Sequence, residues 1–158
     1  MDFSFDVLLK PEDLSTVNIS ESLVEWGGEV FSHEPKKYTY KSTLVFEEFS
    51  DIEYYKNHHK DIIQNDFDID QYIPFRLLGD GMLQLEKIVN CNKDELHNND
   101  IIRFLIDISS LNTFGLFLLR EEEWIDKRYR ISTKEQLIEI VSNCLKWVSV
   151  EGVFITKQ

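Results

Sequence analysis

Alternating aspartates are the first pattern in this chain with a defined chemistry. Asp66-Phe67-Asp68-Ile69-Asp70 sets carboxylates at every second position. A calcium loop begins this way, because oxygens at its first, third and fifth positions converge on one cation. That loop also needs glycine at its sixth position for the turn and a bidentate glutamate at its twelfth. Gln71 and Leu77 occupy those places, so the segment is not an EF-hand. Asp-x-Asp pairs also serve metal sites in glycosyl transfer, but the spacing is common by chance. Two readings stay open: an acidic loop, and an acidic patch for a basic partner.

His58-His59 is the one adjacent histidine pair. His59 shares an apolar helical stripe with Ile52, Tyr55 and Ile63, as a core histidine does. His58 stands three residues before Asp61, a spacing that suits a surface pair on a helix. No second set of ligands lies at metal spacing, and His-Glu-x-x-His is absent. There is no Gly-x-Ser-x-Gly elbow and no cysteine in a nucleophile signature. Gly79-Asp80-Gly81 is too short to cradle phosphate, and no Gly-Lys-Ser/Thr follows it. With 29 acids in the chain, some carboxylate pair always looks catalytic, so pairs carry no information. The expectation is no catalytic residue, no metal site and no cofactor, which points away from an enzyme.

The acids themselves are the more informative feature. Glu47, Glu48, Asp51 and Glu53 precede the aspartate run, and with Asp61 they make residues 43–80 a window of nine acids against three bases. Residues 1–80 carry 17 acids and 7 bases, whereas residues 81–158 carry 12 and 10. The overall charge of −12 is thus polarised along the chain, which uniform solubilisation does not require. Such a field repels nucleic acid and anionic membranes and attracts basic proteins. A second acidic run, Glu121-Glu122-Glu123, adjoins Trp124. Tryptophan is a frequent interface anchor, although a solvated turn with Trp124 folded onto the core fits as well. Glu47, Glu48, Asp51, Glu53, Asp66, Asp68, Asp70, Glu121, Glu122, Glu123 and Trp124 are therefore the candidate partner-binding residues. Lys127, Arg128 and Arg130, the one basic cluster, serve to balance nearby acids.

The elements that must position these residues read as an α+β domain. The 158 residues have the length of a single domain, which buries roughly 70% of its unfolded surface without disulfides or metals. Cys91 and Cys144 are expected to be reduced packing residues. The start of the chain lacks a basic leader and no apolar run reaches bilayer length, so a cytosolic location is expected.

Phe3, Phe5 and Val7 alternate with polar residues as a strand does, and Pro11-Glu12-Asp13 opens a helical turn. Asn18-Ile19-Ser20-Glu21 fits a capping box for a short helix ending at Gly27-Gly28, with a strand from Glu29 to His33. Tyr38, Tyr40, Ser42, Leu44 and Phe46 form one face of a long strand. Asp51 caps a helix reaching Asn65. Residues 66–80 read as irregular, Met82–Val89 as a strand and Asn90–Asp100 as a loop. Ile101–Ile108 and Thr113–Arg120 read as a central hairpin, with a helix over Ile101–Leu111 as the competing assignment. Lys127–Ile131 is a strand, and Ser132-Thr133-Lys134-Glu135 caps a helix with Leu137, Val141, Cys144, Leu145 and Val148 on one face. Gly152–Thr156 is the last strand. The expected architecture is a mostly antiparallel sheet of six to eight strands with two or three packed helices.

The acidic window around Glu47–Asp70, the small α+β domain and the late Ser132-to-Val148 helix with its following strand resemble the immunity proteins of bacterial polymorphic toxins. Those of contact-dependent growth inhibition are included. The glycine pattern of the SUKH type is not convincingly present at Gly79-Asp80-Gly81. The resemblance implies neutralisation of a cognate toxin by tight binding, with a monomer expected rather than a homodimer. A nuclease needs a basic surface for phosphates, so a carboxylate face suits such a partner. Two alternatives belong to other classes: an acidic secretion chaperone that holds an effector segment, and an enzyme with an unrecognised site.

Overall fold

The computed structural model describes residues 3–21, 36–41, 43–49, 51–63, 67–88, 99–120, 127–146 and 152–157. Its strands are β1 (Phe3–Leu9), β2 (Ile19–Glu21), β3 (Lys37–Tyr40), β4 (Leu44–Glu48), β5 (Ile73–Leu78), β6 (Phe114–Arg120), β7 (Lys127–Arg130) and β8 (Val153–Lys157). They form one eight-stranded sheet in the order β2-β3-β4-β5-β1-β6-β8-β7. The helices are α1 (Ile52–Ile63), α2 (Asp80–Lys87), α3 (Asp100–Ser109) and α4 (Lys134–Lys146). All neighbouring strands pair antiparallel except β7 and β8, which α4 connects in parallel. The fold is α+β with a mostly antiparallel sheet.

Both faces of the sheet are covered. On one face Phe5, Val7, Leu9, Phe46, Phe75, Leu116 and Leu118 pack with Leu85 of α2, Phe104 and Leu105 of α3, and Leu137 and Val141 of α4. On the other, Leu8, Phe117, Leu119 and Phe154 pack with Tyr55 and Ile63 of α1 and with Phe67, Ile69 and Tyr72 from the segment after it. This explains why Phe114 to Leu119 reads as an unbroken apolar run: every side chain along it is buried.

Several expectations are corrected. Asn18 does not open a helix. Its φ of 60° is left-handed, and Ile19 N donates to Leu14 O at 2.9 Å. Asn18 thus ends the helical turn begun by Pro11–Asp13, and β2 follows. The rest of that expected helix, and the strand Glu29–His33, lie outside the described residues. The long strand through Tyr38 and Phe46 is a hairpin. Lys41 turns at φ 46°, Thr43 N donates to Tyr40 O, and Tyr40 pairs with Leu44. A three-residue connection preserves parity, so Tyr38, Tyr40, Leu44 and Phe46 still share one buried face.

Residues 73–78 are an interior strand, not irregular chain. Pro74 is tolerated there because β1 pairs it while the β4 ladder covers only Phe75–Leu78. Where a strand is expected over Met82–Val89, residues 82–87 lie in α2: Leu85 is buried while Leu83, which would share its strand face, is 56% exposed, and Val89 lies outside the described residues. The expected central hairpin is likewise overturned, since Ile101–Ile108 is helical. Asn99 accepts from Ile101 N (2.8 Å) and Ile102 N (3.3 Å) and caps α3. Asp100, read as loop, is its first residue. The α4 cap is shifted by one residue from the expected box. Thr133 Oγ1 accepts from Gln136 N, and Gln136 Oε1 accepts from Thr133 N and Ser132 N.

Candidate functional site

The site forms where α1 crosses the sheet. Asp51 Oδ1 accepts from Tyr54 N at 3.0 Å and caps the helix. The helical repeat then turns Tyr55, His59 and Ile63 inward and leaves Glu53, Tyr54, Asn57, His58 and Lys60 on the exposed surface. Under the helix a single cross-strand row runs Lys37, Glu47, Arg76, Asp6, Phe117, Phe154, Arg128. Directly paired residues project to one face, so four charged side chains of alternating sign adjoin two stacked rings there. Phe117 and Phe154 stack at 4.4 Å. Arg128 Nη1 donates to Ile63 O at 2.7 Å and holds the C-terminus of α1.

Asp6 is completely buried. Arg76 meets it with Nε at 2.9 Å and Nη2 at 3.1 Å, and the Tyr55 hydroxyl donates to Asp6 Oδ2 at 2.9 Å. The carboxylate is thereby charge-paired and hydrogen-bonded, as a buried ion must be. Burial first, then the adjacent Asp6 charge, pushes the Tyr55 hydroxyl well above its ordinary pKa, so it remains a donor.

His59 is 5% exposed. Its Nδ1 lies 2.8 Å from Tyr55 O. A carbonyl only accepts, so Nδ1 carries the proton. Burial holds the imidazole below its usual pKa and favours the neutral ring, in which Nε2 is a bare acceptor. That Nε2 is buried with no hydrogen-bond partner among the described residues, a condition native interiors seldom tolerate. The ring stacks on Tyr55 at 3.9 Å and tilts against Phe117 at 4.9 Å. On its other side Tyr55 meets Phe49 at 4.2 Å, and Arg76 lies over Phe49 at 4.7 Å.

Beside this array lies a cavity of about 230 Å³. Asp51, Tyr54, Tyr55, His58 and His59 line it from the helix, Phe49 from the approach to the helix, and Arg76 and Leu119 from the sheet. Tyr54 and His58 form a parallel pair with centroids 6.2 Å apart, and Tyr54 is 70% exposed.

The acids expected to meet a partner are distributed unevenly around this helix. Asp51 and Glu53 are exposed at its first turn. Glu47 lies on the α1 face, paired across strands with Arg76. Glu48 projects to the opposite face, where it accepts from the Tyr38 hydroxyl at 3.0 Å. Burial and that bond push the Tyr38 hydroxyl up to about 12. Asp68 and Asp70 are exposed in the turn after α1. Asp68 caps that turn by accepting from Asp70 N and Gln71 Nε2. Asp70 pairs with Lys60 at 3.0 Å, and its carbonyl accepts from Lys56. These contacts bring the aspartate turn alongside α1. Asp66, Glu121, Glu122, Glu123 and Trp124 lie outside the described residues, as does Cys91.

Sequence reasoning missed Asp6, Tyr54 and Arg76. An aspartate and an arginine, each inside an apolar strand, are a signal that some buried pairing exists, though not of which with which. No helix among the described residues is long and apolar enough to cross a membrane. No protein-family model, curated protein or solved structure matches the chain.

Proposed function

We propose that the chain is an immunity-type binding protein that neutralises a basic partner, such as a nuclease toxin domain, through the outer surface of α1. One observation carries this reading. Tyr54 stands 70% exposed on a helix, lining a cavity with Asp51, and Asp51 and Glu53 are exposed in the same first turn. An exposed aromatic beside carboxylates is an arrangement that suits a cationic surface: the ring supplies contact area and cation–π attraction, and the acids steer the approach. The chain's net charge of −12 extends that steering to long range.

The test takes as partner the C-terminal domain of whatever large secreted protein is encoded immediately upstream, with association followed by surface plasmon resonance at two salt concentrations. The double variant Asp51→Lys/Glu53→Lys should slow association about tenfold or more and flatten its salt dependence. Tyr54→Ala should raise koff by roughly 30-fold, the equivalent of a 2 kcal/mol anchor. Unchanged rates in both variants, with the wild-type complex intact, would remove α1 from the interface. A wild-type homodimer that holds an extended effector segment would favour the secretion-chaperone reading instead.

A further inference from the structure

We infer that the cavity beneath α1 receives the guanidinium group of an arginine side chain from the basic partner. This rests on the binding reading above and names what the partner inserts.

Size narrows the occupant first. At about 230 Å³ the cavity exceeds the roughly 150 Å³ hole that takes benzene and falls short of the roughly 300 Å³ at which drug-sized pockets begin. One side chain fits.

Polarity narrows it further. Among the described lining residues, His59 and Asp51 supply acceptors with unused capacity. His59 Nε2 is a buried lone pair without a donor among the described residues, the ring's one proton being committed through Nδ1 to Tyr55 O. Asp51 gives Oδ1 to the helix cap, and its carboxylate has further lone pairs at the cavity rim. The lining cation, Arg76, is held in two bonds by a fully buried carboxylate. An anion would have to compete with Asp6 for Arg76 while facing Asp51 and the His59 lone pair. A donor-only, planar cation avoids these conflicts, and the like charge it meets on Arg76 is offset by Asp6. Guanidinium presents five N–H donors in a fork, is weakly hydrated and lies flat on aromatic faces, which the parallel Tyr54 and His58 rings offer. An ammonium would satisfy the acceptors but is a strongly hydrated point charge, with less to gain from the flat walls.

The probe is N-acetyl-arginine methylamide, titrated into the whole chain and followed by imidazole ¹⁵N resonances. The lysine analogue, the neutral citrulline analogue, phenol and acetate serve as comparisons. The arginine amide should bind saturably and shift the bare Nε2 resonance of His59 as it gains a donor. The lysine and citrulline amides should bind about tenfold more weakly, the loss expected for one charge-assisted bond. Asp51→Asn keeps the helix cap and removes the charge, and should weaken arginine binding by a similar factor. His59→Phe should abolish it. If His59→Phe does not fold, Asp51→Asn and the resonance shift carry the test. Absence of a saturable shift, tighter binding of acetate or phenol, or an unchanged affinity in Asp51→Asn overturns the inference. Should the arginine amide fail while charge reversal still slows partner association, only this inference falls. If the amide binds but association ignores charge, the cavity assignment stands and the α1 interface falls.

Discussion

Removing Arg76 should cost far more stability than neutralising its partner Asp6. Asp6 is 0% exposed, whereas the Arg76 side chain is 31% exposed. In Arg76→Met a carboxylate is left in the interior with the Tyr55 hydroxyl as its one remaining donor among the described contacts. Stranding one member of a buried pair costs about 3–5 kcal/mol. In Asp6→Asn the guanidinium, whose side chain is 31% exposed, is not stranded in the interior, and the amide oxygen still accepts from Tyr55. That loss is nearer 1–3 kcal/mol, the cost of degraded hydrogen bonds. The double variant Asp6→Asn/Arg76→Met removes both charges and keeps an acceptor for Tyr55, so it should be more stable than Arg76→Met alone. Urea titration followed by circular dichroism reads these as midpoint shifts at constant m. Thermally, a chain of this length moves roughly 2–4 °C per kcal/mol, so Arg76→Met should melt about 6–20 °C lower. The reasoning fails if Asp6→Asn is as damaging as Arg76→Met, or if the double variant is no better than Arg76→Met.

Two further outcomes follow from the same face. Burial lowers the His59 pKa, so below about pH 6.5 the unfolded chain takes up a proton that the folded chain resists. Stability should therefore decline as pH falls from 6.5, with a steeper slope than in His59→Phe, and equal slopes in paired urea titrations would count against a buried neutral ring. Gly115→Ala would set a Cβ 3.0 Å from Phe67 Cζ and 3.1 Å from Leu8 Cδ1. Phe67 is fixed by Tyr72 and Phe154, so the crowding should cost about 1–3 kcal/mol, and a neutral midpoint would show that the ring can move.

What the sequence made legible follows from how many faces each element buries. α1 and α4 expose one side, so their stripes are written in the chain: Asp51 as cap with Tyr55 and Ile63, and Leu137 with Val141 after a cap that reads one residue early, at Ser132 in place of Thr133. β6 and β8 lie inside a sheet covered on both faces, and their apolar runs still read as strands because helices of that length are rare. β5 does not, because Pro74 and Arg76 interrupt it and the ladder that tolerates the proline is invisible without β4. α3 is the hardest case. Its buried set, Ile101, Ile102, Phe104, Leu105 and Ile108, fits the helical repeat, yet every second residue from Ile102 onward is also apolar, and the competing strand pattern wins by inspection. The cap at Asn99 is the local signal that decides it. At the candidate site the helix with its cap Asp51 and its inward Tyr55 and His59 was legible, whereas Tyr54 and the sheet half were not. Asp6 and Arg76 are 70 residues apart, and only register brings them together.

That register also sets what α1 meets on the sheet. Along the row beneath α1 the paired residues change from Phe117 and Phe154 to Asp6, Arg76 and Glu47. Over the rings the helix closes tightly, with His59 within 5 Å of Phe117. Over the charges Tyr55 reaches Asp6 through its hydroxyl, and the cavity lies beside that contact, lined by Asp51, Tyr54, His59 and Arg76. The same contacts that hold the helix, Tyr55 to Asp6 and Arg128 to Ile63, make its position part of the folded core. An occupant that binds the folded chain alone must then stabilise the whole domain, by about 2.7 kcal/mol at a hundred times its Kd. A rise in unfolding midpoint with added ligand is thus a readout of occupancy, its size set by ligand concentration over Kd.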